Sequence, residues 1–282
     1  LDRAQRAARE LGLPKAYGSY EELLADPEID AVYIPLPNHL HVPWSIKSLE
    51  AGKHVLCEKP IALSSVDAEQ LIAAGRRHPR LKLMEAFMYR HNPQTKRAKE
   101  LVEQGAIGEL RLVRSTFSYS LYDEENIRLH PELDGGALMD VGCYCVSGSR
   151  LLAGEPTAVG GQAWIGPSGT DWVFTGLMQF PGDVLATFDC GTAMPNRDEL
   201  EAVGSEGSLF LDDPWHCTTP VIELRRDGEV ERIEAPYADS YRLEMENLSA
   251  AIRGEGELLL GRDDAMGQAR VLEALHDDAR RG

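Results

Sequence analysis

Cys57-Glu58-Lys59-Pro60 closes a short apolar run and sets a primary ammonium where a strand should end. In open parallel sheets that carboxyl edge is where ligands bind. The proline stiffens the turn and biases the residue before it to extended backbone, so the lysine is held in place. Such an ammonium can stabilise negative charge on a ligand oxygen, although a surface lysine beside a turn has the same four residues. A second stretch, Gly135-Gly136-Ala137-Leu138-Met139-Asp140-Val141-Gly142-Cys143-Tyr144, spaces Gly136, Asp140 and Tyr144 by four, which puts them on one face of a helix. A double glycine starts a helix poorly unless something must approach the backbone closely. A chance polar stripe is the plainer reading of that face. The third stretch, Leu36-Pro37-Asn38-His39-Leu40-His41, follows an apolar run and opens a helix at Asn38, which leaves free N–H groups at a positive dipole end. His39 and His41 fall on different faces there with no third ligand nearby, so no metal site is expected.

The elements that must position these residues come in two textures. The first third alternates helix and strand. Leu1, Ala4, Ala7, Ala8 and Leu11 form one helical stripe ending at Gly12, and Tyr20–Ala25 reads as a helical turn. Residues 31–36 read as a strand buried on both faces, and His54–Cys57 and Lys82–Met88 as two more. Between them lie a helix with Val42, Ile46 and Leu49 inward and another capped by Ser64 or Ser65 that runs to Arg77. Short loops joining such a series predict a parallel α/β sheet with right-handed crossovers. From Glu109 onward the pattern becomes strand after strand: 109–120, 158–165, 172–180, 184–190, 199–203, 208–211, 221–225 and 230–234. Pro181-Gly182-Asp183 and Asp227-Gly228 are hairpin signals. One long helix, about 136–152, interrupts the strands, and helices at 241–253 and 263–280 close the chain. The expectation is a Rossmann-type parallel sheet over 1–88 and, over 89–282, an α+β domain with a large, mostly antiparallel open sheet.

Composition narrows the partners. The 282 residues carry 29 basic against 46 acidic side chains, a net charge of −17, so the electrostatic footprint of nucleic-acid binding is absent. No apolar run is long enough to span a bilayer, and no secretory pattern opens the chain. Five cysteines without zinc spacing read as reduced packing residues of a cytoplasmic protein. Neither a G-x-S-x-G elbow nor a Walker loop is present. Leu1-Asp2-Arg3 enters directly into a helical pattern without a cap, which reads as the middle of a longer chain.

The order P-N-H-L-H, A-G-K-H-V-L-C-E-K-P and G-G-A-L-M-D-V-G-C-Y resembles the glucose–fructose oxidoreductase / inositol dehydrogenase (Gfo/Idh/MocA) family over nearly the whole chain. Tyrosine at 144 is similar to the branch with dihydrodiol and NADP-linked xylose dehydrogenases. The resemblance implies an NAD(P)-dependent oxidoreductase acting on a sugar or cyclic polyol, most specifically oxidation of an aldopyranose at C1 to a lactone. It implies catalytic roles for Lys59 and Tyr144, and a cofactor lined by Leu36, Pro37, Asn38, His41, Glu58 and Lys59. Asp140 would orient the substrate, with Arg128 and Arg90 as further pocket residues. It also implies a glycine-rich loop ahead of Leu1, since no G-x-G-x-x-G occurs in the sequence, and the choice of NAD or NADP stays open. A trans-dihydrodiol dehydrogenase or a glucose–fructose transhydrogenase would use the same chemistry. A non-catalytic sensor of the same fold would have no need for both Lys59 and Tyr144.

Physical chemistry is consistent with those roles. Alcohol oxidation by nicotinamide needs a hydride to leave carbon and a proton to leave its oxygen. A free tyrosine, pKa about 10, is roughly 0.1% ionised at pH 7, and lowering it about two units would give roughly 10% phenolate. Lys59 is expected to supply that shift. Trp164, Trp172 and Trp215 read more readily as core or interface than as a sugar site. A broad uncovered sheet predicts a homodimer or higher homo-oligomer through that face.

Overall fold

In a computed structural model that describes residues 1–123 and 125–281, the chain forms two sheets. Helix α1 (Asp2–Leu11) ends at Gly12 in left-handed geometry, and α2 (Tyr20–Ala25) is capped by Ser19, whose side chain accepts from the Glu22 N–H. Of the α1 stripe only Ala8 is buried; Leu1 and Leu11 stand in solvent. Strands β1 (Ala31–Ile34), β2 (His54–Glu58) and β3 (Leu83–Ala86) make a parallel sheet in that order, with α3 (His41–Glu50) and α4 (Ser65–Arg77) as crossovers. Ser64, the first of the two predicted caps, accepts from the Asp67 N–H. Among the described residues β1 ends the strand order, and Ala31 and Tyr33 are exposed rather than buried as expected. Helix α5 (Pro93–Glu103) escaped the sequence reading. Its signature is the Asn92 cap followed by proline at the first helical position.

The second sheet has eight strands: β4 (Leu110–Ser120), β5 (Ala158–Ile165), β6 (Asp171–Phe180), β7 (Val184–Gly191), β8 (Ala193–Gly204), β9 (Gly207–Leu211), β10 (Val221–Arg226) and β11 (Glu229–Glu234). Their spatial order is β11-β10-β9-β8-β4-β7-β6-β5. Every pairing is antiparallel except β4 with β7. Strand β8 begins six residues before the predicted 199, which lets it span the sheet beside β4. Helices α6 (Cys143–Ala153) and α8 (Arg262–Arg281) cover one face, while α7 (Ser240–Arg253) packs beside the turn after β3. The main core includes Val113 and Phe117 of β4, Cys145 and Val146 of α6 and Phe174 and Phe188 of the sheet. A smaller core joins β1–β3 to α3 and α4, and Ala265, Met266 and Ala269 of α8 enter it, so the last helix ties both halves together. All five cysteines are free and buried.

Candidate active site

The long helix predicted from Gly136 starts later. Gly136 has φ of +119°, Leu138–Gly142 form a π-helical turn, and regular helix begins at Cys143. The glycine pair is there for close approach. A Cβ on Gly135 would lie 2.4 Å from the Arg128 carbonyl oxygen, and one on Gly136 would lie 1.9 Å from Asp171 Oδ1. Asp171, which the sequence reading missed, accepts the Leu138 N–H at 2.7 Å and so holds the wide turn. That turn points Asp140 at the end of β2.

There the Lys59 ammonium donates to the Asp140 carbonyl at 2.6 Å and to its Oδ1 at 3.2 Å. Arg128 Nε meets the same Oδ1 at 2.8 Å, and the Tyr119 hydroxyl donates to Oδ2 at 2.6 Å. Burial opposes charge on Asp140, but Lys59, Arg128 and Tyr119 outweigh it and hold the carboxyl below its usual range. Burial likewise opposes the Lys59 charge, and Asp140, Cys143 and Glu58 together outweigh it and raise its pKa. The ammonium sits 5.2 Å from the centre of the Tyr144 ring, a cation–π distance. Lys59, Asp140, Arg128 and Tyr144 therefore come together. They line a cleft of about 930 Å³ that also includes Leu36, Asn38, Glu58, Tyr119 and Tyr241.

Tyr144 differs from the expectation in its proton. Burial pushes its hydroxyl well above the ordinary value, and Lys59, already committed to Asp140, does not reverse this. The hydroxyl donates to Met88 Sδ at 3.5 Å and remains protonated at neutral pH. Asn38 does not cap a helix: a 3-10 turn at Asn38–Leu40 precedes α3, and its amide donates to the Asp134 carbonyl at 2.8 Å across the cleft. His41 is fully buried, its Nδ1 and Nε2 lying 2.8 and 2.7 Å from the Pro60 and Leu36 carbonyls, so it pins two loops of the cleft to each other. Arg90 does not reach the cleft. The chain turns at Met88–His91, and the guanidinium passes to Ser147 at 3.3 Å and Asp264 at 3.7 Å behind α6. Trp215 is wholly buried and Trp164 is exposed on the uncovered sheet face.

Polar groups at the ends of β1 and β2 and at the start of α7 fit the nicotinamide end of a dinucleotide: the Lys59 ammonium and the Asn38 amide can donate, the Glu58 carboxylate can accept and the Tyr241 hydroxyl can do either toward ribose hydroxyls and a carboxamide. Parallel strands with helical crossovers and a cleft at their carboxyl ends are the arrangement in which α/β folds bind nucleotides. Two family models place it more narrowly. Residues 1–87 match the oxidoreductase family, NAD-binding Rossmann fold, and residues 95–210 match the GFO/IDH/MocA C-terminal domain. An uncharacterized oxidoreductase of Rhizobium meliloti is 40% identical, over 100% of this chain and 87% of its own length. D-xylose 1-dehydrogenase (NADP(+)) 2 of Haloferax volcanii is 37% identical over 99% and 87%. The aldose-aldose oxidoreductase of Caulobacter crescentus, solved with glycerol, superposes with a TM-score of 0.92 at 28% identity, covering 100% of this chain and 87% of that one. The chain belongs to the Gfo/Idh/MocA family of NAD(P)-binding oxidoreductases and is an enzyme. No helix among the described residues is long and apolar enough to cross a membrane.

Proposed function

We propose that this enzyme passes hydride between NAD(P) and C1 of an aldopyranose, interconverting sugar and lactone, with Tyr144 exchanging the proton and Lys59 steadying the charge. Residues 1–88 hold the nucleotide and residues 89–282 the sugar. The observation that carries this reading is the Lys59 ammonium, fixed by Asp140 at the carboxyl end of β2 and lying over the Tyr144 ring. Bound in the cleft, the nicotinamide supplies the hydride acceptor or donor. The protein's part is protonic. A protonated Tyr144 can give its proton to the oxygen that gains charge when a lactone is reduced. In the oxidative direction it must first lose that proton, and the ammonium over its ring favours the phenolate.

The other cations of the cleft support a neutral substrate. Arg128 is paired with Asp140, Arg197 with Asp189, and His216 with Asp198. A polyol needs hydrogen-bond donors and acceptors rather than an uncommitted charge. Names of relatives agree, one being a xylose dehydrogenase and one an aldose-aldose oxidoreductase. The uncovered sheet face exposes Trp164, Leu177 and Leu185, and we propose that a second copy covers it. The test is a panel of aldoses and cyclic polyols with NAD⁺ and NADP⁺, followed by nicotinamide absorbance. Turnover of at least one aldose, lost in Tyr144→Phe, is expected. Activity confined to non-sugar diols, or a fully active Tyr144→Phe, would overturn the reading.

A further inference from the structure

On the sheet side of the cleft stands a histidine that no sequence motif singled out. His216 lies in the loop between β9 and β10, and both it and Asp198 of β8 line the cleft. Its side chain is 54% exposed, yet its neighbours Trp215 and Cys217 are buried. Trp215 anchors the loop twice, its indole donating to the Thr116 carbonyl at 3.0 Å and its backbone N–H to Asp198 Oδ1 at 3.2 Å. Asp213 Oδ2 accepts the Thr218 and Thr219 N–H groups at 2.6 and 2.8 Å and stiffens the other end. The imidazole is therefore presented by a rigid loop, as a recognition group must be.

Its orientation is also set. Nδ1 is hydrogen-bonded to Asp198 Oδ2, and the ring stands edge-on to Phe117 at 5.4 Å. Phe117 in turn stands edge-on to Tyr144 at 5.3 Å, so a single aromatic ring separates His216 from the proposed proton donor. With Nδ1 engaged, Nε2 is the polar atom left to meet a ligand. A hydroxyl suits it in either protonation state, donating to the lone pair of the neutral ring or accepting from the N–H of the cation.

We propose that His216, oriented by Asp198, hydrogen-bonds a substrate hydroxyl remote from the reacting carbon and thereby decides which sugar the cleft accepts. This rests on the sugar reading above. His216 is a specificity residue and Asp198 its positioning residue. Ligand atoms of Asp198, Asp213 and His216 also lie close enough together to share a cation. Hydrogen bonds already occupy the imidazole Nδ1 and Asp213 Oδ2, which favours the hydroxyl role.

The experiment measures kcat and KM for the preferred sugar and its single-deoxy analogues in wild type, His216→Phe, His216→Gln and Asp198→Asn. Nicotinamide fluorescence and melting temperature serve as controls. In wild type one deoxy analogue should show a KM raised about tenfold or more, the worth of one hydrogen bond to such a group. In His216→Phe the parent sugar should rise to that same KM, with kcat within about threefold and cofactor binding unchanged. His216→Gln should restore part of the discrimination, and Asp198→Asn should lose part of it. Full discrimination retained in His216→Phe would overturn this inference alone. Equal losses for every analogue with a lowered melting temperature would also overturn it, as would a KM that rises when EDTA is added. A wild type that turns over no sugar while still quenching nicotinamide fluorescence would overturn the sugar reading and this inference with it.

Discussion

Two charged networks share α6 and the turn that leads into it, and they are built on opposite terms. The first joins Lys59, Asp140, Arg128 and Tyr119 at the cleft wall. Both Asp140 oxygens are satisfied there, and Arg128 is 41% exposed, so the network is complete and faces ligand space. The second lies behind the helix and joins Arg90, Arg150, Glu155, Asp264 and Gln268, with Glu85 close by. Arg150 is 3% exposed, and Glu85 Oε2 and Asp264 Oδ2 have no hydrogen-bond partner among the described residues. On the proposed reading, the groups that meet a substrate are the ones held by surplus hydrogen bonds. Groups that only tie secondary elements together tolerate an orphaned oxygen. The contrast separates two arginines that the sequence reading nominated together: Arg128 belongs to the first network and Arg90 to the second.

The largest effect expected from this difference is kinetic and falls on the cleft network. Lys59→Met should lower kcat by about 10²–10⁴-fold, the usual worth of positioned charge and proton transfer. Its melting temperature should move little, because Asp140 keeps Arg128 and Tyr119. Steady-state kinetics beside a thermal melt checks both halves. Turnover within tenfold of wild type would show that the two networks do not differ in kind.

How far these sites were legible depends on the range of the physics that makes them. Strands, hairpins and closing helices follow from local periodicity and turn chemistry, and their predicted bounds fall within a residue or two for most elements. That Lys59, Asp140 and Tyr144 meet in one cleft was legible because a strand end and a helix turn carry their own signatures. Arg90 was misplaced because its direction is set by Ser147 and Asp264, far away in the chain. Tyr119 was overlooked although it shares the helix-facing side of β4 with Phe117, a period-two relation visible in the residues. His216 carries no local signal, since only the pairing of β8 with β9 brings Asp198 near it. The Tyr144 hydroxyl was misjudged for a related reason: a charge partner was visible in the motif, while the burial that outweighs it is a property of the packed fold.

The second effect should appear in stability alone. Arg150→Met removes a buried guanidinium that bonds Gln268 at 3.0 Å and Glu155 at 2.6 and 3.1 Å. Breaking a buried pair costs about 3–5 kcal/mol, and the low end applies because Glu155 is 62% exposed and regains water. Urea denaturation should show that loss, while kcat/KM per folded molecule stays within about twofold of wild type. A proportionate fall in kcat/KM would mean that the rear network reaches the chemistry.

The smallest effect is in pH dependence, and it isolates the orphaned carboxyl. Burial pushes Glu85 from its ordinary 4.5 up to about 8. Between those values the folded chain keeps a proton that the unfolded chain has released, so stability falls as pH rises through that window and the loss is complete only above about 8. His91, lowered to about 4 by burial, works in the opposite sense, but only below its ordinary 6.5. The range from 6.5 to 8 therefore reads the raised carboxyls, which include Glu244, also near 8, together with His216, which its hydrogen bond to Asp198 raises above 6.5. Over that range one such group contributes about 2 kcal/mol of lost stability. Glu85→Gln should flatten the fall in melting temperature by a few degrees, and Glu85→Gln with Glu244→Gln should flatten it further. Neither substitution touches the cleft cations, so the pH profile of kcat should keep its wild-type shape in Glu85→Gln. A melting profile as steep as wild type would show that Glu85 is ionised in the folded protein, and that the rear network, like the cleft, satisfies its charges in full.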